Sequence, residues 1–306
     1  MTQAVIGRAV RSFPESLRVV IDDHSSDKTA ARAEEAGATV RPVRPKERGW
    51  LSRSNACWTG VLYTDSDWIL FSDPDLWCEP RFLPSLLAYA AGHNLHAATV
   101  LPRQSLVNWY ERMLVPYALG LGFSGASARN LNNPKHPEAM ANGQCLLFRR
   151  SAYNFIGGHR AVSSHPLDDL ALARLIKRHR MSMAVLRCES MAYTRLYASF
   201  GATWRGLEWK ILHAAGGYGK SSVLFLAAIA VSSLWLPLLF ALVVWQYYLP
   251  AAILFLTPIL AWRAWYGSLL RALWAPAAVS VFPLIALTAL AKAARGAPID
   301  ARGRRV

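Results

Sequence analysis

The chain has 306 residues, enough for one soluble domain and a modest further module. Charged residues make up 17% and hydrophobic residues 53%, whereas soluble domains average about 25% charged, so the composition excludes a disordered protein and argues against a purely soluble one. The formal net charge is +15. Because the basic residues flank long apolar runs and do not cluster with aromatic residues on a polar face, we expect a lipid surface as partner and no nucleic acid.

The N-terminal two thirds of the chain alternates strand-like and helix-like segments, which is typical of an α/β domain with a parallel sheet. Residues 17–21 and 38–43 are predicted strands on either side of a helix over residues 28–36, which Gly37 ends. Residues 67–71 form a third strand, whose unbroken apolar character predicts burial on both faces.

Two later segments mix aromatic and charged residues at helical spacing. We interpret residues 108–123 and 204–213 as helices that lie on a membrane surface. For the first of them, packing on the sheet is the alternative.

Three apolar runs follow, at residues 223–245, 247–262 and 272–291. The first has no charged residue and, at about 1.5 Å per residue, reaches about 34 Å, enough to span a bilayer core of about 30 Å. Trp and Tyr residues lie at the edges of the runs, as in an aromatic belt, and a buried helical core is the alternative. Pro276 and Pro283 make the third run the one we expect to be broken.

These patterns predict a multi-pass protein of the cell membrane whose first domain is cytoplasmic, because Lys210 and Lys220 flank the first run. The predicted parts are an α/β domain over residues 1–200, an interfacial amphipathic segment over 201–221, a membrane domain of two to three helices over 222–295 and a basic tail over 296–306.

Two acidic clusters directly follow predicted strands: Asp22 and Asp23 after the first, Asp73 and Asp75 after the third. Since ligands bind at the carboxyl ends of strands in open parallel sheets, we expect both clusters to face one crevice. Pro74 biases Asp73 toward extended backbone, which would put the two later carboxylates on one face, where they suit Mg²⁺ or Mn²⁺ together with phosphate oxygens. The alternative is that Asp-Pro-Asp is only a turn after a strand.

Four ordered segments resemble family 2 glycosyltransferases with the GT-A fold. Residues 20–29, VIDDHSSDKT, are similar to the VDDxSxDxT segment, and residues 69–75, ILFSDPD, look like the DxD motif. Residues 49–56, GWLSRSNA, resemble the GWxGKxxA stretch of membrane-bound members, with Arg53 where Lys is usual. Residues 142–173 resemble the GQxxLxRRxAY…GGH…EDxALA region of carotenoid-type and hopanoid-associated glycosyltransferases.

The resemblance implies a metal-dependent, inverting hexosyltransferase that moves a sugar from a nucleotide-diphosphate-sugar to a membrane lipid, such as a carotenoid, a hopanoid or a similar isoprenoid. It also implies the residues that bind the donor and its ion. The donor would be bound by Asp22, Asp23, Arg53, Asp73 and Gln144, and Mg²⁺ or Mn²⁺ by Asp75 and Asp73.

Asp169 matches the aspartate of the family's ED pair, which is the general base; Asp168 stands where Glu is usual, so either of the two could serve. An inverting transfer needs one carboxylate to take the acceptor's proton, and a diphosphate leaving group needs a metal and no acid. Helix capping is the alternative for both, because an apolar helical face begins just after them. His159 follows two glycines and could reach a substrate, although a structural role is the alternative.

Two other functions stay open: a polyprenyl-phosphate glycosyltransferase, and a catalytically inactive membrane anchor or assembly subunit. The carboxylates retained at positions 23, 73, 75 and 169 argue against the inactive form. In the family, a strand and loop precede the helix that leads into the VDD strand, whereas residues 4–13 offer only that helix. We therefore predict that the first strand of the GT-A sheet, with its loop on the order of 20 residues, is missing from this chain.

Overall fold

The computed structural model describes residues 2–123, 127–197, 199–217 and 220–295, with the side chains of all but residues 2, 214–226 and 228. The chain divides into two compact units. The α/β unit comprises Met1–Ser105 and Ala126–Arg195, and the helical unit comprises Leu106–Gly125 and Leu196–Val306.

The α/β unit contains seven described strands and eight described α-helices. The strands are β1 (Val19–Asp22), β2 (Thr39–Pro42), β3 (Trp68–Ser72), β4 (Leu76–Cys78), β5 (Ala97–Gln104), β6 (Cys145–Arg149) and β7 (Met183–Thr194). The helices are α1 (Thr2–Arg11), α2 (Thr29–Glu35), α3 (Ser52–Val61), α4 (Phe82–Gly92), α6 (Ala128–Leu131), α7 (Arg150–Phe155), α8 (Gly158–Ala161) and α9 (Asp168–Arg178).

Five strands form a mixed sheet in the order β3-β6-β5-β7-β4. β5 is parallel to β7, whereas β6 is antiparallel to both β3 and β5, and β4 is antiparallel to β7. For this five-stranded sheet, the prediction of parallel strands is therefore wrong. β6 lies between β3 and β5 and runs opposite to both, and a buried strand has the same apolar pattern in either direction, so its direction does not show in the sequence.

β1 and β2 form a separate, parallel two-stranded sheet connected through α2. The three predicted strands and this helix are confirmed to within two residues at each end, and Gly37, at φ +86°, follows the helix as predicted. Among the described residues, no strand pairing joins this small sheet to β3. The expectation of a missing first strand is not tested by this arrangement and stays a prediction.

Successive side chains of β6 pack into two buried clusters on opposite faces of the large sheet. Leu146 and Phe148 pack with Leu172 and Ile176 of α9, and Leu147 packs with residues of α4 on the other face. The sheet is thus a central layer covered by helices. The carboxyl end of β3 and the amino end of β6 lie side by side at one edge of this layer, because Ser72 pairs with Cys145 in the antiparallel ladder.

The helical unit contains α5 (Trp109–Gly122), α10 (Phe200–Gly217), α11 (Lys220–Val244), α12 (Tyr248–Tyr266), α13 (Leu269–Ala272) and α14 (Ala275–Ala294). The three predicted apolar runs correspond to α11, α12 and α14. The expected break in the third run is wrong: α14 continues through Pro283, and Pro276 lies in the first turn, where its missing N–H costs no helical hydrogen bond.

Helix α5 packs among other helices of its own unit. The Tyr117 hydroxyl lies 3.0 Å from the Ser232 hydroxyl of α11, and the Tyr117 ring stacks on Trp262 of α12 at 4.9 Å between centroids. Asn108 and Glu111 form a capping box at the start of α5. The sequence places this segment in the first domain, whereas its contacts assign it to the helical unit.

Two stretches of the described chain are long and apolar enough to cross a membrane: Tyr248–Tyr266 and Leu269–Ala294. Length and composition alone are weak support, since the core helix of a soluble protein can meet the same criteria. The predicted basic tail, residues 296–306, lies outside the described residues.

Candidate active site

Arg53 is the centre of the candidate site. It lies in the first turn of α3, and its guanidinium donates from Nη1 to Asp73 Oδ1 at 2.8 Å, from Nε to Asp168 Oδ2 at 3.1 Å and from Nη2 to the carbonyl oxygen of Gly143 at 2.5 Å. Burial alone would lower the pKa of Arg53, but Asp73 and Asp168 raise it well above its ordinary value. The side chain therefore stays charged and joins three segments that are far apart in sequence.

Asp73 and Asp75 lie in the turn between β3 and β4. The backbone N–H of Leu76 donates to the carbonyl oxygen of Asp73 at 3.1 Å, which closes a β-turn over the Asp-Pro-Asp sequence. Pro74 and Asp75 are the central residues of this turn, so the segment is not an extended run that sets the two carboxylates on one face; the chain reverses at once to place β4 against β7. The extended backbone expected at Asp73 itself stays a prediction. Asp73 is buried and Asp75 half-buried, so the turn carries two carboxylates of unequal exposure.

Gln144 immediately precedes β6, and its backbone carbonyl accepts a hydrogen bond from the N–H of Asp73 at 3.0 Å. Its side-chain amide donates to Thr194 Oγ1 at 2.9 Å and accepts from Asn142 Nδ2 at 3.1 Å, and the residue is buried. Gln144 thus lies beside the Asp73 turn, as the antiparallel pairing of β3 and β6 requires. Its amide is used within the protein, and direct contact with a nucleotide stays a prediction.

Asp168 and Asp169 occupy the first turn of α9, where the helix dipole favours carboxylates. The two side chains differ in environment. Asp168 is buried, and burial raises its pKa to about 6 although Arg53 opposes the shift. Asp169 is half-buried, and its Oδ2 accepts the backbone N–H of Gly143 at 2.7 Å. Of these two carboxylates, that of Asp169 is both hydrogen-bonded and partly exposed.

Gly143 lies between Arg53 and Asp169. A side chain at this position would put its Cβ 2.7 Å from Arg53 Nη2 and 3.0 Å from Asp169 Oδ2. Both of its backbone polar groups form hydrogen bonds within the site: the N–H donates to Asp169 and the carbonyl oxygen accepts from Arg53. Gly143 was not singled out from the sequence; its one signal is its place in the Asn-Gly-Gln motif.

The contacts described for Asp22 and Asp23, at the end of β1, are local. Asp22 accepts the backbone N–H of Ser25 at 3.3 Å, and Asp23 lies 3.5 Å from the ring of His24. Their expected convergence with Asp73 on one crevice stays a prediction.

His159 does not face solvent: it is 1% exposed, so the expectation that it could reach a substrate is wrong. Burial, followed by the charge of Arg53, lowers its pKa to about 3, so the ring is neutral. Its Nε2 lies 3.8 Å from Asp168 Oδ2, and its Nδ1 lies 2.8 Å from the hydroxyl of Tyr153. Sequence reasoning missed this arrangement, whose one signal was the Gly-Gly-His motif.

Residues 9–157 match the family model described as glycosyl transferase family 2. The chain contains a glycosyltransferase family 2 domain. Together with the helix-covered mixed sheet, this confirms the coarse fold expectation, a GT-A-like α/β glycosyltransferase fold. Within the described residues, no group of three His, Cys, Asp or Glu side chains is placed to hold a metal ion.

Two curated relatives are both 4,4'-diaponeurosporenoate glycosyltransferases. That of Staphylococcus haemolyticus (strain JCSC1435) is 27% identical over 190 residues, 60% of this chain and 50% of the relative. That of Staphylococcus aureus (strain MRSA252) is 25% identical over 203 residues, 65% of this chain and 54% of the relative. The chain thus spans about half the length of the curated relatives it matches.

Among solved structures, glucosyl-3-phosphoglycerate synthase from Mycobacterium tuberculosis is similar in part. Its complex with Mg²⁺ and uridine diphosphate has a TM-score of 0.39 and 18% identity, over 62% of this chain and 66% of that one. Its complex with Mn²⁺ and uridine-diphosphate-glucose has a TM-score of 0.40 and 17% identity, over 66% and 70%. These values are too low to transfer any property to this chain.

Proposed function

We propose that the chain is an inverting glycosyltransferase that moves a sugar from a nucleotide-diphosphate-sugar to a carotenoid-type lipid acceptor. One observation carries the proposal: a single guanidinium, that of Arg53, is bonded both to Asp73 of the turn after β3 and to Asp168 at the start of α9. The segments that resemble the donor-binding and the general-base motifs of the family are therefore assembled around one positive charge.

On the donor side, Asp73 and Asp75 would hold a divalent cation, and Arg53 would add positive charge for the diphosphate. Mg²⁺ is commonly bound by one or two carboxylates together with substrate phosphates, so two carboxylates in one turn fit an ion that arrives with the nucleotide, and no third protein ligand is required. Such an ion would stabilise the negative charge of the departing nucleoside diphosphate.

On the acceptor side, Asp169 would take the proton of the attacking group. The N–H of Gly143 holds one carboxylate oxygen and the N–H of Leu170, at 2.8 Å, holds the other. These bonds fix the orientation of the carboxylate, as a group that accepts a proton from a bound acceptor requires. Asp168, which is buried, would support this site without touching the acceptor.

The acceptor class is proposed from two features. The curated relatives are glycosyltransferases of 4,4'-diaponeurosporenoate, and the helical unit exposes large apolar side chains along α11 and α12, such as Phe240 and Leu249 at 70% and 74% exposure. A bilayer would cover such surfaces and would also hold a lipid acceptor. We accordingly place the protein in the cell membrane, with the α/β unit on the cytoplasmic side.

The test is a transfer assay on membranes that contain the full chain, with labelled UDP-glucose as donor. The two acceptors compared are 4,4'-diaponeurosporenoate and a polyprenyl phosphate. We expect label in the carotenoid fraction, loss of transfer in EDTA and in Asp75→Asn, and about 10²–10⁴-fold slower transfer in Asp169→Asn. The exposed-site variant Asp65→Asn is the matched control.

The outcomes separate the alternatives. Label in the polyprenyl phosphate alone would assign the chain to the other acceptor class. No transfer from UDP-glucose or from other nucleotide-sugars would favour an inactive anchor or assembly subunit. If Asp168→Asn proves more damaging than Asp169→Asn, the two carboxylates have exchanged roles.

A further inference from the structure

Tyr153 and His159 lie buried beside Asp168 and have no place in the roles proposed so far. Tyr153 belongs to α7 and His159 to α8, and they are 0% and 1% exposed. The Tyr153 hydroxyl contacts His159 twice, at 2.8 Å from Nδ1 and 3.0 Å from the backbone nitrogen. Phe71 of β3 packs on the histidine ring at 4.7 Å between centroids. Two buried polar side chains are thus held in fixed orientation next to Asp168 and Asp169, the two candidates for the general base.

The surroundings of His159 favour a proton on its Nε2. The Tyr153 oxygen accepts the backbone N–H of His159, and the hydroxyl can either donate to Nδ1 or accept from it, so this bond fits both tautomers. The ring is neutral and its Nε2 faces the Asp168 carboxylate, so we assign its one proton to Nε2, and the Tyr153 hydroxyl then donates to Nδ1. The Nε2–H group therefore faces the Asp168 carboxylate, with 3.8 Å between Nε2 and Oδ2.

Two glycines make this geometry possible. Gly157 and Gly158 have φ of +78° and +50°, in the left-handed region that favours glycine. A Cβ on Gly158 would lie 2.4 Å from the Tyr153 ring. The chain can therefore pass over the tyrosine and present the N–H of His159 to its hydroxyl only with glycine at this position.

We propose that Tyr153 and His159 are positioning residues for the transfer reaction: they hold the Asp168 carboxylate against Arg53 and so keep the Gly143–Asp169 pair in place. The inference rests on the proposed function. The link from His159 to Asp168 is longer than a hydrogen bond and acts as a dipole facing a charge, which is effective in a buried, weakly screened site. From Asp168, Arg53 carries the connection to the carbonyl of Gly143, whose N–H binds Asp169.

Without the Tyr153 hydroxyl, the neutral ring of His159 could carry its proton on either nitrogen. In the form protonated on Nδ1, an Nε2 lone pair would face the carboxylate, which disfavours the ionised form of Asp168 and weakens its bond to Arg53. The effect depends on all the groups around Asp168. The titratable groups that act on it or on its neighbours are Arg53, Cys57, Asp73, Tyr153, His159 and Asp169.

The experiment measures the pH profile of transfer from labelled UDP-glucose by membranes containing the full chain. Tyr153→Phe removes the hydroxyl, His159→Met removes the Nε2–H donor, and His159→Gln keeps an N–H donor on a side chain of similar length. Tyr63→Phe makes the same chemical change as the first variant at an exposed site. Activities are divided by the amount of folded protein, from the thermal unfolding signal in detergent.

We expect Tyr153→Phe and His159→Met to slow transfer per folded molecule about 10- to 100-fold, and to move the acidic limb of the profile up by about half a pH unit or more. His159→Gln should recover most of the loss, and Tyr63→Phe should match the wild type. If His159→Met does not fold, Tyr153→Phe and His159→Gln decide the question.

The proposal is overturned if the active wild type and the two removal variants share one pH profile and one rate per folded molecule, because the pair then only stabilises the fold. It is also overturned if His159→Gln is as impaired as His159→Met. A wild type that transfers no sugar contradicts the proposed function itself, and the positioning roles fall with it.

Discussion

Gly143 is the residue at which the candidate site is most sensitive to added volume. Gly143→Ala would put a Cβ within 3.0 Å of both Arg53 and Asp169, and one of these side chains must move. We expect transfer to fall about 100-fold, since misplacing a catalytic group by 1 Å can have that effect, while the free energy of unfolding changes little. The readouts are transfer rate and thermal unfolding. Gly92→Ala, where a Cβ meets no atom within 4 Å, should behave as wild type. A fully active Gly143→Ala protein would contradict the described contacts.

Asp168 gives the folded protein a pH dependence of known sign. Burial raises its pKa from an ordinary 3.8 to about 6, so between these values the folded state holds a proton that the unfolded state has released. Its contribution to stability is fully present below pH 4 and is lost as the pH rises through 6. As the pH rises from 4 to 7, the unfolding free energy of wild type should therefore fall by about 2–3 kcal/mol relative to that of Asp168→Asn. Denaturant unfolding in detergent across this range measures it, and a constant difference between the two proteins would be the contrary result.

The sequence predicted which residues belong to the candidate site, but only some of the contacts between them. The family resemblance selects Arg53, Asp73, Asp168 and Asp169. In the structure, the Arg53 guanidinium binds Asp73 and Asp168, and Gly143 connects Arg53 to Asp169. The resemblance could not reveal Gly143 as a spacer, because a glycine's need for space depends on neighbours that are 26 or more residues away in sequence. Burial, which distinguishes the two aspartates of the pair, is likewise a property of the packed protein.

At the scale of elements, the pairing of α10 with α14 depends on a buried charge. Glu208 is 0% exposed and binds Lys292 Nζ at 2.5 Å through Oε2, and Trp204 Nε1 bonds both to Glu208 and to Thr288 of α14. Lys292→Met would leave this carboxylate without its cation, and we expect a loss of about 3 kcal/mol in unfolding free energy. Adding Glu208→Leu to that variant should restore most of it, because an apolar pair needs no such partner. Thermal unfolding in detergent is the measurement, and an additive double variant would argue against the pair.

Helices and strands were predicted from local patterns more reliably than the turns and bends between them. The helix that ends before Gly37 and the third strand follow from propensity and periodicity. The Asp-Pro-Asp segment was expected to be extended, but the need of β4 to pair with β7 decides in favour of a turn. Pro283 was expected to break its helix, but apolar packing on both sides of it keeps α14 continuous.

For the whole molecule, the prediction concerns how the chain partitions between water and lipid. Apolar side chains exposed along α11 and α12 would be stable only in a bilayer or detergent. We expect the expressed chain to stay with membranes through alkaline carbonate and to be released by detergent, as an integral protein is. Immunoblots of the fractions provide the readout. A chain released by carbonate or by high salt alone would be bound only at the surface.

The assignment of whole regions was predictable where composition changes sharply, as it does near position 200, and not elsewhere. Leu106–Gly125 lies between strands of the α/β unit and is flanked by polar residues, but it belongs to the helical unit. Its partners are helices that begin about 90 to 170 residues later, and no local pattern in α5 indicates them. The direction of the strands in the large sheet was likewise not predictable from local sequence, since it depends on long connections.

The position of α5 also has a consequence for biosynthesis. Tyr117 leaves the ribosome 115 residues before Ser232, its hydrogen-bond partner. At 5–20 residues per second, α5 therefore waits on the order of 10 s for α11, and longer for α14. Its apolar side chains, Met113, Leu114, Tyr117 and Leu121 among them, need shelter during that interval from a chaperone or from the membrane surface. Slowing translation between codons 123 and 220 should lengthen this exposure and increase aggregation of the nascent chain, whereas slowing it after codon 295 should not.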